Sequence, residues 1–599
     1  MSSPVSTLAG HASASTATAP APGTSGAFAD KVQMQHRLFA ELSAMFGKEV
    51  PLYDKSLLVN FHTNKAVCAL LSQLHQGFVI TDEQLDKTSG ERHGAIRIGR
   101  PDEYRWVARF FAQFAMEPHN FYDMTNVGSK SQPIIATAFR SPLHPEHRVF
   151  TSLLMTDYFD PDTRKRIEEL LATRTVFSDA AKALIEKGER SGGLSLDDAT
   201  ALIAEGTGRI FKWTAQARDH ALYKALSDAG FKIAADIACF RSHHLNHLTP
   251  NTFCMDLYTA AMKFAMGEMD QTAFITRATG ALDRLAVFAD RDYMHLTFKH
   301  LSAKQIDALK PGRLRPGSIG QIISALVTRL TEPDLRLSEL KHAGFKDFTE
   351  GPSEDTPVLL RQDAYKALTE PVTFTNPDGS VVQTVHTARF GEIEQRFYAT
   401  TPAGRSLYDT CLAQADAARE KDPALPKRDF PAYQALYAAP FKPFPKTLRE
   451  LILAGLVYAH FTPTPAGLAA AKAGKLSTTD HLALYRDGHL AADGLRYEDF
   501  LPVSAAGIFA SNLNQYGTKS TAATKPTYTQ AQLEEVMGKK IITADATYAG
   551  LQAQSLLASY AALNLVAKLP ASVKADLEAA AARVPSAPSG SSWAQPSPA

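Results

Sequence analysis

Between residues 30 and 75, apolar positions recur three and four apart. Leu38, Leu42, Met45 and Phe46 fall on one face and predict an amphipathic helix. The rhythm then changes. Ala95-Ile96-Arg97-Ile98, just after a glycine, reads as a short strand. Pro101-Asp102 opens a helix over 103–114, with proline in the first turn, where its missing N–H costs nothing. Residues 132–139 alternate and read as another strand, whereas 162–230 look helical throughout, with amphipathic stretches at 164–173 and 177–187 and a helix start at Ser195. The apolar run 233–240 (IAADIACF) is β-prone and predicts a strand leading into His243-His244. Helical spacing returns from Asp256 to about Leu340, broken at Lys310-Pro311-Gly312 and Arg315-Pro316-Gly317. Val358-Leu359-Leu360 and Val372-Thr373-Phe374 flank a short helix. Asn376-Pro377-Asp378-Gly379 is a turn, and 381–396 reads as one long strand. Helices and proline-rich loops follow, ending in a helical pair near 530–583.

These elements predict a mixed α/β (α+β) chain. The β core falls near 93–140, 233–256 and 358–400, with helical insertions near 160–230 and 257–345, all within one unit spanning 29–530. A C-terminal helical part covers 531–584. The Ser-, Thr-, Ala-, Pro- and Gly-rich stretches 1–28 and 585–599 read as disordered tails; the first has no basic residue before Lys31 and no apolar run of the signal-peptide kind.

Composition narrows the function classes. With 45% hydrophobic and 21% charged residues, the 599-residue chain is an ordinary soluble globular protein. A net charge of +1, without a basic run interleaved by aromatics, points away from nucleic acid. No apolar run approaches the roughly 20 residues that span a bilayer. Cys68, Cys239, Cys254 and Cys411 are far apart, so neither a zinc ribbon nor a disulfide framework is expected, and a reducing, cytoplasmic setting fits.

The chemistry sits in three distant segments. In Glu91-Arg92-His93-Gly94-Ala95-Ile96-Arg97, strand periodicity puts His93, Ala95 and Arg97 on one face. His93 and Arg97 then lie roughly 13 Å apart along the backbone, a span that suits a short dicarboxylate between a metal at His93 and a guanidinium at Arg97, which can grip a carboxylate bidentately. The second segment offers His243, His244 and His247, and Pro250 limits helix there. The third, Arg389-Phe390-Gly391-Glu392-Ile393-Glu394-Gln395-Arg396, puts Glu392 and Glu394 on one strand face; one suffices as a ligand and the other could pair with an arginine or orient an imidazole. Two histidines and one carboxylate fit a non-haem Fe(II) centre with open positions.

Five blocks carry a resemblance: Glu91 to Arg97, Asn246 to Pro250, Arg361-Gln362, His386 to Arg396, and Tyr497 to Phe509. Together, and in this order, they resemble the 2-oxoadipate dioxygenase/decarboxylase family, over residues from about 30 to 515. The resemblance implies a vicinal-oxygen-chelate-like β core decorated with helices. It also implies mononuclear Fe(II), and conversion of 2-oxoadipate and O2 to 2-hydroxyglutarate and CO2 in lysine breakdown. It assigns His93, His247 and Glu392 as ligands and Arg97 to the distal carboxylate, with Gln362, Val503 and Ser504 at the substrate. Glu392 is preferred to Glu394 because the block resembles the Phe-x-Glu-x-x-Gln-Arg stretch of 4-hydroxyphenylpyruvate dioxygenase. Two departures stand out. Phe397 replaces an expected glycine, and the chain between His247 and Glu392 is long, with the extra residues placed in 257–345. Two alternatives are an O2-independent Zn or Ni enzyme on the same core, and a non-catalytic binding or scaffolding protein.

Overall fold

The computed structural model describes residues 28–127, 131–299, 301–346, 349, 351–501 and 519–584. Its centre is a five-stranded sheet. We label the strands β1 (Arg92–Ile98), β2 (Glu117–Asp123), β3 (Ile134–Arg140), β4 (His147–Leu154) and β5 (His247–Pro250). The order is β2-β3-β4-β1-β5. β1 runs parallel to β4 and antiparallel to β5, with His93 opposite Thr249 and Ala95 opposite His247. β4 is buried along its whole length and β1 at all but its first residue. A sheet covered on both faces usually carries apolar runs. The polar residues of β1 therefore need partners inside the protein.

A second pair of strands abuts β5. β6 (Leu360–Ala364) is antiparallel to β9 (Glu392–Arg396), with Gln362 opposite Glu394. The Thr252 N–H donates to the Glu394 carbonyl at 2.7 Å, which fastens β9 beside the end of β5. Between them in sequence, β7 (Thr369–Thr375) and β8 (Val381–Thr387) form a hairpin around the expected turn, where Gly379 takes φ +81°. Helices fill most of 161–228 and 255–330, but Gln216–Arg218 is a strand parallel to β7 and not part of a helix, contrary to the helix expected throughout 162–230. The mixed α/β fold with a helix-decorated β core is thus the expected one. Among the described residues, no helix is long and apolar enough to cross a membrane.

Several elements differ from expectation. The run 233–240 is a helix, Lys232–Cys239, not a strand. Every residue from Ile233 to Cys239 is buried, so the segment shows no amphipathic period, and Ala234, Ala235 and Ala238 favour helix over strand. Residues 381–396 are two strands, not one. The chain leaves the hairpin at Ala388 and crosses to pair with β6. Arg389, bound to Glu370 and Glu49, pins the crossing, and Gly391 passes so close to the Tyr365 ring that a Cβ would lie 2.2 Å from it. The short helix expected between residues 360 and 372 is absent, because that stretch is β6, a connection and the start of β7.

The C-terminal part holds three helices, Gln530–Met537, Ala544–Ala562 and Ala571–Ala581, and not a pair. Tyr548 of the second reaches the core: its hydroxyl bonds Asp499 at 2.5 Å and accepts from the Glu498 N–H at 2.8 Å. It thereby holds the segment Tyr497–Phe500 against the sheet.

Candidate metal and carboxylate site

Register brings the first two segments together. His93 and Thr249 share one side of the β1–β5 pair with Ala95 and His247. The small Ala95 leaves room, and the two imidazoles meet edge to face with centroids 5.5 Å apart. β9 supplies the carboxylates from the adjoining edge. Glu392 Oε2 lies 3.3 Å from His93 Nε2 and 3.4 Å from His247 Nε2. Thr249 donates to the same oxygen at 3.2 Å and Gln362 at 3.5 Å. His93, His247 and Glu392 are all buried, and one ligand atom from each lies within 4.8 Å of the others. Among the described residues this is the group of three that could hold a metal ion.

Glu394 faces the other side of the first imidazole. Its Oε2 is 2.9 Å from His93 Nδ1. Burial alone would push the Glu394 carboxyl up, but Arg396, His93 and Arg148 together hold it well below the usual carboxylate range. Arg396 grips it bidentately, at 2.7 and 2.9 Å, and also donates to the carbonyls of Tyr497 and Asp499. Arg148 links Glu394 to Glu498. With the His93 proton directed to Glu394, the Nε2 lone pair points at Glu392. His247 is pushed well below the ordinary imidazole range by burial and then by His93 and Arg97, which keeps it neutral. Neither of its ring nitrogens has a hydrogen-bond partner among the described residues. Imidazole lone pairs and a carboxylate aimed at one buried point repel one another unless a cation lies among them. The residues present therefore fit a metal ion.

His243 and His244 take no part in the triad. His243 faces Glu103, itself gripped bidentately by Arg174, which also donates to the carbonyls of Ile237 and Phe240. That set anchors the loop entering β5. His244 turns toward Asp236.

Arg97 is buried (5% exposed) and its Nη1 donates to Asp236 Oδ2 at 2.8 Å. Among the described residues this is its single hydrogen bond, although a guanidinium carries five donors. Sequence reasoning missed Asp236. The available signal was a lone carboxylate inside an otherwise apolar run, which folding must either pair or neutralise. Gln362 is placed beside Glu392, to whose Oε2 it donates. Val503 and Ser504 lie outside the described residues.

Comparison with known proteins places this geometry. The family model described as 2-oxoadipate dioxygenase/decarboxylase matches residues 38–276 and 322–512, more than half of the chain. The interruption falls within 257–345, where the extra residues were expected. The chain is 33% identical to a 2-oxoadipate dioxygenase/decarboxylase of Pseudomonas putida over 88% of its own length and 96% of the relative's. It is 31% identical to the protein of the same name from Escherichia coli, over 82% of its own length and 90% of the relative's. It is also similar to the crystal structure of the hydroxyglutarate synthase of Pseudomonas putida in complex with 2-oxoadipate, with TM-score 0.62, 31% identity, and coverage of 90% of this chain and 99% of that one. The chain belongs to the 2-oxoadipate dioxygenase/decarboxylase family.

Proposed function

We propose that this protein is an Fe(II)-dependent enzyme converting 2-oxoadipate and O2 to 2-hydroxyglutarate and CO2, acting in lysine breakdown in the cytoplasm. The observation that carries this reading is the convergence of His93 Nε2, His247 Nε2 and Glu392 Oε2 on one buried point, with Arg97 on the same face of β1. Two imidazoles and one carboxylate suit Fe(II) and leave coordination positions open. Bound there, Fe(II) supplies the sites at which a 2-oxo acid and O2 meet for oxidative decarboxylation.

The chain's own groups do the rest. Glu394 fixes the tautomer and the angle of His93, while Thr249 and Gln362 hold the Glu392 oxygen. Arg97 holds the distal carboxylate and so sets the length and charge of the substrate. Phe390 and Phe500 pack against the His247 and His93 rings and keep bulk water from the ligands. Val503 and Ser504 are assigned to the substrate by the family resemblance.

The test is reconstitution with Fe(II) under nitrogen, then admission of O2 with 2-oxoadipate. The expected result is one O2 consumed and one CO2 released for each 2-hydroxyglutarate formed. Turnover supported by Zn or Ni without O2 would replace this reading with the O2-independent one. A finer check concerns Glu394→Gln. Loss of a carboxylate that orients a ligating imidazole should weaken metal affinity by roughly 10- to 100-fold, read by competition with a chelator. An unaltered affinity would remove Glu394 from the site.

A further inference from the structure

Four segments meet at the carboxylate of Asp236. Arg97 of β1 donates to its Oδ2 at 2.8 Å. His244, from the loop before β5, places Nε2 3.3 Å from Oδ1. His386, near the end of β8, places Nε2 3.2 Å from the same oxygen. On its far side, His386 Nδ1 is hydrogen-bonded to the Tyr223 hydroxyl at 2.8 Å. Trp213 closes the box, stacked on His386 and edge-on to His244. Asp236, His244 and His386 are each 3% exposed or less.

The charges in this box balance before any ligand enters. Asp236 stays ionised, because burial would raise its pKa but His244, His386 and Arg97 hold it well below the usual range. It neutralises Arg97. The next cation, Arg389, lies over the Trp213 ring but is already held by Glu49 and Glu370. On the remaining side, Glu103 is matched by Arg174 beside the neighbouring His243. The Cys239 thiol is kept protonated by burial. Facing Cys239, Arg218 donates to Thr173 and Arg166 pairs with Asp219. Among the described residues no cation other than Arg97 makes a hydrogen bond or ion pair with Asp236, His244 or His386, and Arg97 has spare donors. A second carboxylate brought to Arg97 would thus sit beside Asp236 as an uncompensated buried charge, which is strongly unfavourable.

We propose that His386 is a specificity residue of this subsite: the distal carboxylate of a dicarboxylate shares Arg97 with Asp236, and His386 takes up one proton as it binds, restoring neutrality. This rests on the reading of Arg97 given above. Imidazole is the side chain whose charge changes most readily near neutral pH. Of the two imidazoles on Asp236, His386 is the one whose Nδ1 has a hydrogen-bond partner among the described residues. Its Nδ1 accepts from the Tyr223 hydroxyl when neutral, and when charged it donates to the same oxygen, which turns its own proton away. His244 has no such partner; its Nδ1 is buried without one among the described residues. A monocarboxylate of equal chain length brings no second charge and needs no proton.

The experiment is calorimetric titration of the metal-loaded protein under nitrogen, in buffers of differing ionisation enthalpy, just above the ordinary imidazole range. Two probes are used, 2-oxoadipate and its mono-acid counterpart 2-oxohexanoate. Both share the 2-oxo acid end, so any proton exchanged there cancels in the difference. The expected result is about one more proton taken up with 2-oxoadipate. His386→Gln should bring that difference towards zero and flatten the pH dependence of 2-oxoadipate affinity. Equal proton counts in the intact protein would overturn the proposal, even if Arg97→Gln abolishes the preference for the dicarboxylate. If Arg97→Gln keeps that preference, the carboxylate binds elsewhere, and both readings fall together.

Discussion

His247→Ala and His93→Ala are each expected to leave a folded protein that neither retains iron nor turns over 2-oxoadipate. The size of the effect follows from position. Residues that only orient a metal ligand typically cost 10- to 100-fold in affinity or activity, so loss of a ligand should exceed about 100-fold. Neither imidazole is needed to pair a buried charge that would otherwise stand alone: Glu394 keeps Arg396 and Arg148, and Glu392 keeps Thr249 and Gln362. Removing His247 also relieves a crowded set of acceptors, so the melting temperature of the metal-free variant should fall little or rise. The measurements are metal content after reconstitution, O2 uptake, and thermal unfolding with and without metal. Full iron content and activity in either variant would dissolve the triad. Metal-dependent stabilisation should be large in the parent and absent in both variants, since a ligand that binds only the folded state stabilises it by mass action.

The triad was legible before the fold because its pieces obey local rules. Strand periodicity alone placed His93 and Arg97 on one face, and β1 is a strand. Pro250 limited helix around the histidines, and His247–Pro250 is a strand. What local rules could not do was choose among equivalents. His243, His244 and His247 are alike in sequence; only the pairing of β5 with β1, which sets Ala95 opposite His247, selects one. Glu392 and Glu394 share a face by the same period-2 rule. The choice between them comes from which carboxylate Arg396 and Arg148 occupy. Family resemblance supplied both selections in advance.

The segments read wrongly are those whose conformation is decided by distant partners. Residues 233–239 are buried all round, so hydrophobic periodicity is silent, and the partner of Asp236 is an arginine far away in the chain. Residues 381–396 keep a strand-like alternation through a crossing that is fixed by Tyr365, Glu370 and Glu49. In each case the missing information was tertiary, and in each case the error fell on a segment that builds the wall around Arg97 or the carboxylate edge of the triad.

Arg97→Gln is the second substitution with a large expected effect, and its readout must be chosen with Asp236 in mind. Breaking a buried ion pair by removing one partner leaves the other charge uncompensated, at a cost of about 3–5 kcal/mol. The variant will therefore be less stable whatever Arg97 does for the substrate, and a fall in activity alone would not distinguish the two roles. The ratio of kcat/KM for 2-oxoadipate to that for 2-oxohexanoate does, because both are measured on the same folded fraction and the stability loss cancels. A charge-assisted hydrogen bond to a carboxylate contributes about 1.5–3 kcal/mol. That ratio should accordingly drop by roughly 10- to 150-fold in Arg97→Gln, with the loss falling on 2-oxoadipate. A ratio unchanged from the parent would mean that Arg97 serves Asp236 alone. The double variant Arg97→Gln/Asp236→Asn separates the remaining terms. Removing both charges should recover much of the lost stability, since a buried pair replaced as a pair is close to neutral, yet leave the substrate ratio as low as in Arg97→Gln. Stability that returns while specificity does not would mark Arg97 as a substrate-binding group and Asp236 as its counter-ion.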